Sequence, residues 1–287
     1  MSEEKKVTEV QADAPEVSEW RNQKNALAKV KTYAEIEEVK QRFVNLLGEA
    51  GGKNYVESVV IAVANNSALQ KCSPKSIFVS AMRAASLKLS VDPALKQAHL
   101  VPYGDVATLI VDYHGLLTLS VNTGYYEHAP HVSEVFKGET VKINRYTGAC
   151  EIDGEKESDE TIGWMAYFKA KNGVERWEYM TNEQIDTYAQ KYSKAYGTQN
   201  KDGVLVNSYG KPTIWHTEKE KMRRKTVLRV LLNKWGNFSP DVKALIQVDD
   251  PDNIIDVALE MPSDENIVVP EQEHKTPEQL IHELTGN

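Results

Sequence analysis

The spacing of apolar residues changes near Pro93, and this change constrains the fold more strongly than any other feature of the sequence. Before Pro93, apolar residues recur at the spacing of amphipathic helices. Three helices are predicted there, over residues 34–48, 53–66 and 74–93, with the first two separated by Gly51-Gly52. After Pro93, apolar and polar residues alternate, which is typical of strands with one buried face. Helices followed by strands indicate an α+β protein.

The alternating region is predicted to form a central, largely antiparallel sheet with helices packed against it. Its first two strands form a hairpin around Gly104-Asp105. The strands are predicted at residues 98–103, 106–113, 131–136, 139–143, 161–170 and 175–180. A short helix is expected at 115–122. A second helix at 181–192 begins with Thr181 and Gln184, which have the spacing of a capping box.

Charge divides the chain of 287 residues, whose formal net charge is −8, into three segments. Residues 1–20 carry a net charge of −4 and residues 249–287 a net charge of −10, whereas the segment between them carries +6. The sequence therefore predicts disordered acidic ends, at 1–25 and 249–287, around a folded core at 26–248. Within the tail, residues 276–286 carry the pattern of a short helix.

The most basic stretch is WHTEKEKMRRKTVLRVLLNKW, residues 215–235, which is predicted to be a basic C-terminal helix containing seven Lys and Arg residues. Lys221, Lys225 and Arg229 lie at i, i+4 and i+8, so they are expected to form one stripe. Like charges at this spacing repel by about 0.2–0.5 kcal/mol per pair. A stripe that costs helix stability indicates a polyanionic ligand, and we interpret the helix, including Arg224, as a phosphate-binding surface for nucleic acid.

A second basic stretch, TYAQKYSKAYG, interleaves lysines with tyrosines over residues 187–197. Tyr188 and Tyr192 are four residues apart, so we expect both rings to pack into the core. Lys191, Lys194 and Tyr196 are expected to contact a single strand, because single-strand binders combine a positive groove with aromatic surfaces. The following polar, Gly-rich residues, up to 212, are predicted to be a loop.

Other chemistries have little support in the sequence. Neither Gly-Lys pair lies in a nucleotide-binding phosphate loop, so no ATPase activity is expected. His128 and His131 are an isolated pair and Cys72 and Cys150 match no metal spacing, so neither metal nor cofactor is expected. A carboxylate nuclease site stays open, since such residues converge only in three dimensions. The absence of a signal peptide or membrane span indicates an intracellular, cytoplasmic protein.

The segment LVPYGDVATLIVDYHGLLTLSVNTG (100–124) is similar to the VPYG…GYKGLI.LA.RTG segment of the RecT-type single-strand annealing proteins of bacteriophages and prophages. Further similar stretches follow the order of that family along the chain. They are residues 68–93, 162–173, 190–197 and 222–236. The resemblance spans about 30–248 and leaves out both acidic ends.

The resemblance implies a non-catalytic, ATP-independent recombinase, with residues 26–248 as its DNA-binding, annealing and oligomerisation core. Such a protein coats single-stranded DNA as a ring or helical homo-oligomer and pairs complementary strands through an annealed duplex intermediate. The implied partners are a phage exonuclease and, for some members, the single-strand binding protein of the bacterial host. The alternatives are a passive single-stranded DNA-binding protein and a metal-dependent nuclease.

The resemblance also marks individual residues. Tyr103 matches the VPYG turn and Tyr113 flanks the central motif, whereas His114 and Asn122 stand where the family usually has cations. Thr226 lies in the matched KTvlr block with Lys225 and Arg229. The complete set expected to contact DNA is Tyr103, Tyr113, His114, Asn122, Lys191, Lys194, Tyr196, Lys221, Arg224, Lys225, Thr226 and Arg229.

Overall fold

The computed structural model describes residues 15–144, 146–193, 195–240, 242–243, 261–265 and 267, with side chains from residue 25 onward. The helices within these residues are α1 (Pro15–Ala34), α2 (Glu37–Leu47), α3 (Glu49–Ala64), α4 (Pro74–Ser86), α5 (Tyr113–Asn122), α6 (Asn182–Tyr192), α7 (Ile214–Thr217) and α8 (Lys219–Trp235). The strands are β1 (Ala98–Tyr103), β2 (Val106–Val111), β3 (His131–Phe136), β4 (Thr140–Ile143), β5 (Cys150–Asp153), β6 (Thr161–Lys169), β7 (Glu175–Thr181), β8 (Thr198–Gln199) and β9 (Leu205–Val206). The α+β prediction is confirmed.

The N-terminal helices form one layer, and three of their boundaries differ from the prediction. Helix α3 runs through the two glycines that were predicted to separate helices, because α2 packs closely against it. A Cβ atom on Gly52 would lie 2.5 Å from the backbone nitrogen of Val44. Helix α1 overlaps residues 15–25, for which no regular structure was predicted. Helix α4 ends at Ser86, well before Pro93. Just after it, Lys88 adopts a left-handed φ of 55° that closes the C-terminus of the helix.

The strands form antiparallel pairs, as the alternation predicted. β1 and β2 make the hairpin, which closes around Gly104 with φ of +65°. The main sheet has the order β3-β6-β7. The predicted strand at 139–143 is confirmed as β4, but its partner β5 was not predicted, because its four residues show little alternation. β8 and β9 form a two-residue ladder inside the predicted loop.

The core joins the helical layer to the sheets. α4 packs on β2, and α8 lies against β6 and β7 while also contacting α5, α6, α7 and β3. The largest fully buried side chains include Trp215, Tyr33, Phe43, Phe78 and Phe168. None of the helices in the described part of the chain is long and apolar enough to cross a bilayer.

Part of the acidic tail belongs to this core, which the sequence did not predict. Met261 is buried, and the Tyr33 hydroxyl donates a hydrogen bond of 2.6 Å to the carbonyl oxygen of Pro262. The prediction of a wholly flexible tail is therefore wrong for residues 261–265. The short helix predicted at 276–286 lies outside the described residues.

Candidate nucleic-acid interface

Helix α8 organises the candidate site, but its middle turn is buried on every side. Lys225, Thr226, Val227 and Leu228 are consecutive and all buried, and four consecutive residues cover a full helical turn. Lys225 is only 6% exposed. The predicted exposed stripe is therefore wrong: Lys221 lies on the surface, Arg229 is half-buried and Lys225 lies inside the protein.

The buried lysine lies close to the start of α5. Asp112 caps that helix by accepting a hydrogen bond from the backbone N–H of Tyr113 (2.7 Å), and its other oxygen lies 3.1 Å from His99 Nε2. Burial alone would raise the pKa of Asp112. The hydrogen bond from His99, the charge of Lys225 and the bond from Tyr113 outweigh burial and lower the pKa to about 2. Lys225 thus stabilises the charged cap of α5.

Several basic side chains of α8 form ion pairs within the protein, which the sequence could not show. Asp186 on α6 accepts hydrogen bonds from Arg223 Nε (3.0 Å) and Nη2 (2.7 Å) and lies 3.0 Å from Lys219 Nζ. Lys221 pairs with Glu218, and Lys234 with Glu178. Much of the positive charge counted in the sequence is therefore already neutralised.

Arg224 reaches the surface beside the start of α5. Its guanidinium lies 5.8 Å from the ring centroids of both Tyr113 and Trp164, and it donates a hydrogen bond of 3.3 Å to the carbonyl oxygen of Val132. Its carboxylate neighbour, Glu134, is 3.6 Å away, and both side chains are partly exposed. Such a pair contributes little stability and competes weakly with a phosphate.

The structure therefore brings together four of the predicted site residues where α5 meets α8: Tyr113, His114, Arg224 and Lys225. His114 is exposed, and its ring makes an edge contact with Tyr113 at 5.7 Å. We call the surface formed by Tyr113, His114 and Arg224 the α5–α8 surface. Thr226 does not belong to it, because it is buried and its hydroxyl donates to the carbonyl oxygen of Met222 (2.8 Å).

The remaining predicted residues are placed elsewhere. Tyr103 is half-buried at the end of β1. Asn122 is exposed at the opposite end of α5, about 12 Å from His114 at 1.5 Å per residue. Tyr196 is half-buried and packs against Trp215 at 5.4 Å. Lys194 lies outside the described residues.

The end of α6 corrects a prediction about the tyrosines. Tyr192 is 56% exposed, so the expectation that it packs into the core is wrong, whereas Tyr188 is half-buried. The two rings lie 4.6 Å apart, and the Nζ atom of Lys191 is 5.0 Å above the Tyr192 ring. An exposed ring with an exposed lysine beside it offers both a stacking surface and a charge.

One aromatic cleft was missed by the sequence analysis. It has a volume of about 530 Å³ and lies between the tip of the β4–β5 hairpin, β7 and the end of α8. Trp177 and Trp235 line it, Arg176 lies 5.0 Å from the Trp235 ring, and Tyr146 at the hairpin tip is 99% exposed. Charged and aromatic residues alternate in ERWEYM (175–180), a pattern that could have indicated the cleft but was interpreted only as a strand.

Among the described residues, no group of three or more His, Cys, Asp or Glu side chains is arranged to hold a metal ion. His128 and His131, the pair noted in the sequence, are both exposed. The candidate interface is therefore described by its cationic, aromatic and hydroxyl-bearing side chains.

Comparison with known proteins identifies the family. The family model described as "RecT family" matches residues 53–264, from α3 through α8 and into the acidic tail as far as Asp264. An uncharacterized protein of Bacillus subtilis (strain 168), YqaK, is 34% identical over 229 residues, which cover 79% of this chain and 74% of the relative. The chain belongs to the RecT family of single-strand annealing proteins.

Proposed function

We propose that this protein binds one strand of DNA at the α5–α8 surface and anneals it to a complementary strand without ATP. The observation that carries the proposal is the position of Arg224, which lies beside Tyr113 and His114 at the charged cap of α5. Among the described residues, Arg224 pairs with the carboxylate of the partly exposed Glu134, so a phosphate can replace that carboxylate at small cost.

In this proposal the buried residues support the surface from below. Lys225 holds Asp112, which caps α5 and so positions Tyr113 and His114. Thr226 and the half-buried Arg229 belong to the same supporting part of α8. Lys225 and Thr226 are therefore proposed as positioning residues, whereas the sequence alone indicated direct phosphate contacts.

The proposed strand path continues from the α5–α8 surface toward the end of α6. The ion pairs of Asp186 with Arg223 and Lys219 hold α6 against α8. Lys221 on α8 and Lys191 on α6 are exposed and supply further phosphate contacts. The ring of Tyr192 supplies a stacking surface for a base. Tyr103, Asn122, Lys194 and Tyr196 remain proposed contacts.

The mechanism follows from the charge of DNA. Two bare strands repel through their phosphates, and cations that replace condensed counterions lower this repulsion. Contacts to the backbone leave the base edges free, so the complementary strand is selected by base pairing and not by the protein. A single-stranded contact surface of this kind favours pairing when adjacent protomers hold one strand in register.

We further propose a ring or helical homo-oligomer that holds the annealed duplex intermediate, acting with a phage exonuclease and the host single-strand binding protein in the bacterial cytoplasm. Family membership supports these finer statements.

The decisive experiment measures the annealing rate of complementary oligonucleotides labelled with a donor and an acceptor dye, without ATP. We expect the protein to accelerate pairing. A passive coat would bind the strands and slow their pairing, and that result would overturn the proposal. Shortening of the same DNA when Mg²⁺ or Mn²⁺ is added would instead indicate a nuclease. Sedimentation with and without DNA tests the oligomer independently.

A further inference from the structure

A second pocket lies between α4 and β2, where Val79, Val106 and Ala107 line it together with polar residues of both elements. Its volume is about 210 Å³. The side chains of its polar wall are Ser73, Lys75, Ser76, Ser80, Arg83 and Thr108. None of these residues belongs to the set that the sequence marked for DNA, and the pocket is of a size to admit a single small group.

Two cationic residues line the pocket. Arg83 is 9% exposed and already interacts with another group of the protein, whereas Lys75 is exposed. The N-terminus of the 13-residue helix α4 adds the positive end of the helix dipole. Together these charges favour a negatively charged ligand.

One hydroxyl in the wall has no partner within the described part of the chain. The Oγ1 atom of Thr108 makes no hydrogen bond there, although the residue is 5% exposed. The neighbouring hydroxyls are satisfied by β2. The Ala107 N–H donates to Ser76 Oγ (3.0 Å), and Ser80 Oγ donates to the Ala107 carbonyl oxygen (2.8 Å). A buried hydroxyl without a partner costs free energy that a ligand oxygen would recover.

The protein already places one anion at the edge of this pocket. The Oδ2 atom of Asp264 accepts hydrogen bonds from the Ser73 hydroxyl and from the backbone N–H of Lys75 (3.1 Å). Asp264 arrives from the acidic tail, anchored by buried Met261 and by the Tyr33 bond to Pro262. The start of α4 thus accommodates a carboxylate, and Thr108 Oγ1 lines the same pocket without a hydrogen-bond partner among the described residues.

We propose that this pocket is a phosphate-binding site, with Thr108 and Lys75 as its ligands and Asp264 as a built-in competitor beside Lys75. The backbone of single-stranded DNA is one source of the phosphate, and in that form the inference rests on the proposed function. Thr108 precedes Asp112 by four residues, so the pocket lies about 13 Å along β2 from the cap of α5. A strand that leaves the α5–α8 surface in this direction reaches the pocket. A free phosphate or a nucleotide is the other source.

The test uses the full-length protein and two substitutions that remove ligands without disturbing the core. Thr108→Val keeps the side-chain volume and removes only the hydroxyl. Lys75→Gln removes the exposed charge. Lys71→Gln is the matched control, because Lys71 is exposed just before α4 and does not line the pocket. The thermal midpoint of each variant without ligand shows whether it is folded.

Binding to a labelled 30-nucleotide oligo(dT) tests the DNA source across a range of NaCl concentrations. We expect Lys75→Gln to weaken binding about fivefold and to reduce the salt slope by about 0.7, the value for one phosphate contact on a single strand. Thr108→Val should weaken binding about threefold with a thermal midpoint no lower than that of the wild type, because the hydroxyl that it removes has no partner among the described residues. Asp264→Asn should strengthen binding about threefold. Equal losses for Lys75→Gln and Lys71→Gln would overturn a DNA phosphate in this pocket.

Inorganic phosphate and dTMP, each at 10 mM, test the other source through the thermal midpoint. A rise in the thermal midpoint of the wild type that is lost in Thr108→Val supports a site for free phosphate or nucleotide. That result would stand even if the protein did not anneal DNA. Wild-type behaviour of both pocket variants with oligo(dT), phosphate and dTMP would overturn the inference. This readout keeps failure of the pocket distinct from failure of the annealing function.

Discussion

Helix α8 and the β4–β5 hairpin show opposite relations between composition and exposure. α8 contains the densest positive charge of the chain, yet its central turn is buried and Lys219, Lys221, Arg223, Arg224 and Lys234 form ion pairs with carboxylates. The hairpin contains Ile143, Tyr146 and Ile152, yet all three are exposed.

The difference follows from the number of neighbours that each element has. α8 packs against strands and helices, so those of its cations that this packing buries need partners inside the protein. The hairpin is a two-stranded ribbon whose two strands pair with each other. The number of Lys and Arg residues in a helix therefore does not show how many of them reach solvent. In the same way, the number of apolar residues in a short two-stranded ribbon does not show how many of them are buried.

The largest expected effect is that of Lys225→Glu, which tests whether the centre of α8 is buried. The substitution places a carboxylate close to Asp112, so we expect a loss of about 3–5 kcal/mol in the free energy of unfolding. Urea denaturation measures it. Lys225→Met, which fills a similar volume without charge, should cost clearly less. Equal, small effects of both would show that the lysine is solvated, and the contrast with the hairpin would fail.

The next effect is that of Asp186→Ala, which removes the carboxylate shared by Arg223 and Lys219. We expect a loss of about 2 kcal/mol at pH 7, since Arg223 is largely buried. Burial raises the pKa of Asp186, but the hydrogen bonds from Arg223 and Lys219 outweigh it and lower the pKa. The stabilisation is therefore present above the unfolded pKa of about 3.9 and is lost as the pH falls below it. Urea curves at pH 7 and pH 3 should show the difference from wild type shrinking at low pH.

Arg224→Ala should mainly affect DNA binding. We expect about tenfold weaker binding of oligo(dT), which corresponds to about 1.4 kcal/mol, with a smaller change in stability. The matched control is Lys53→Ala on α3, an exposed lysine that pairs with Glu49 in its own helix. If both variants lose affinity equally, the α5–α8 surface is not the contact site and net charge explains the binding.

The smallest effect on stability is expected in the hairpin. Tyr146→Ala should change the free energy of unfolding by less than about 0.5 kcal/mol, because the ring is almost fully exposed. Thermal denaturation checks this expectation. The annealing rate of this variant sharpens the comparison. A loss of annealing without loss of stability would assign the aromatic cleft to DNA or to a neighbouring protomer. A large loss of stability would contradict the view that the hairpin contributes little to the core.

Much of the fold was predictable because its signals are local. The capping box at Thr181 and Gln184 is formed as predicted, with both reciprocal hydrogen bonds present. Ser73 caps α4 as predicted, and the β1–β2 hairpin turns at Gly104. Each of these features depends on residues a few positions apart, so the pattern of a short segment is sufficient to predict it.

The candidate site was predictable only in part. The family motif indicated Tyr113 and His114, and composition indicated Arg224, and the structure brings these residues together. The sequence analysis misplaced Tyr192, which it assigned to the core, and Lys225, which it assigned to the surface. Helical spacing shows which residues share a face, but only the packing of other elements decides which face is buried and which reaches solvent.

The sequence by itself determined most of the helices and strands, several of their caps and turns, the separation of a basic core from acidic ends, and the family. Only the tertiary structure decided which cations reach solvent, that Lys225 supports α5 from inside, and that Asp264 of the acidic tail binds the start of α4. The physical reason is that burial and ion pairing depend on residues distant in the chain. Lys225 and Asp112 are separated by more than a hundred residues, as are Asp264 and Ser73, so only folding brings them into contact range.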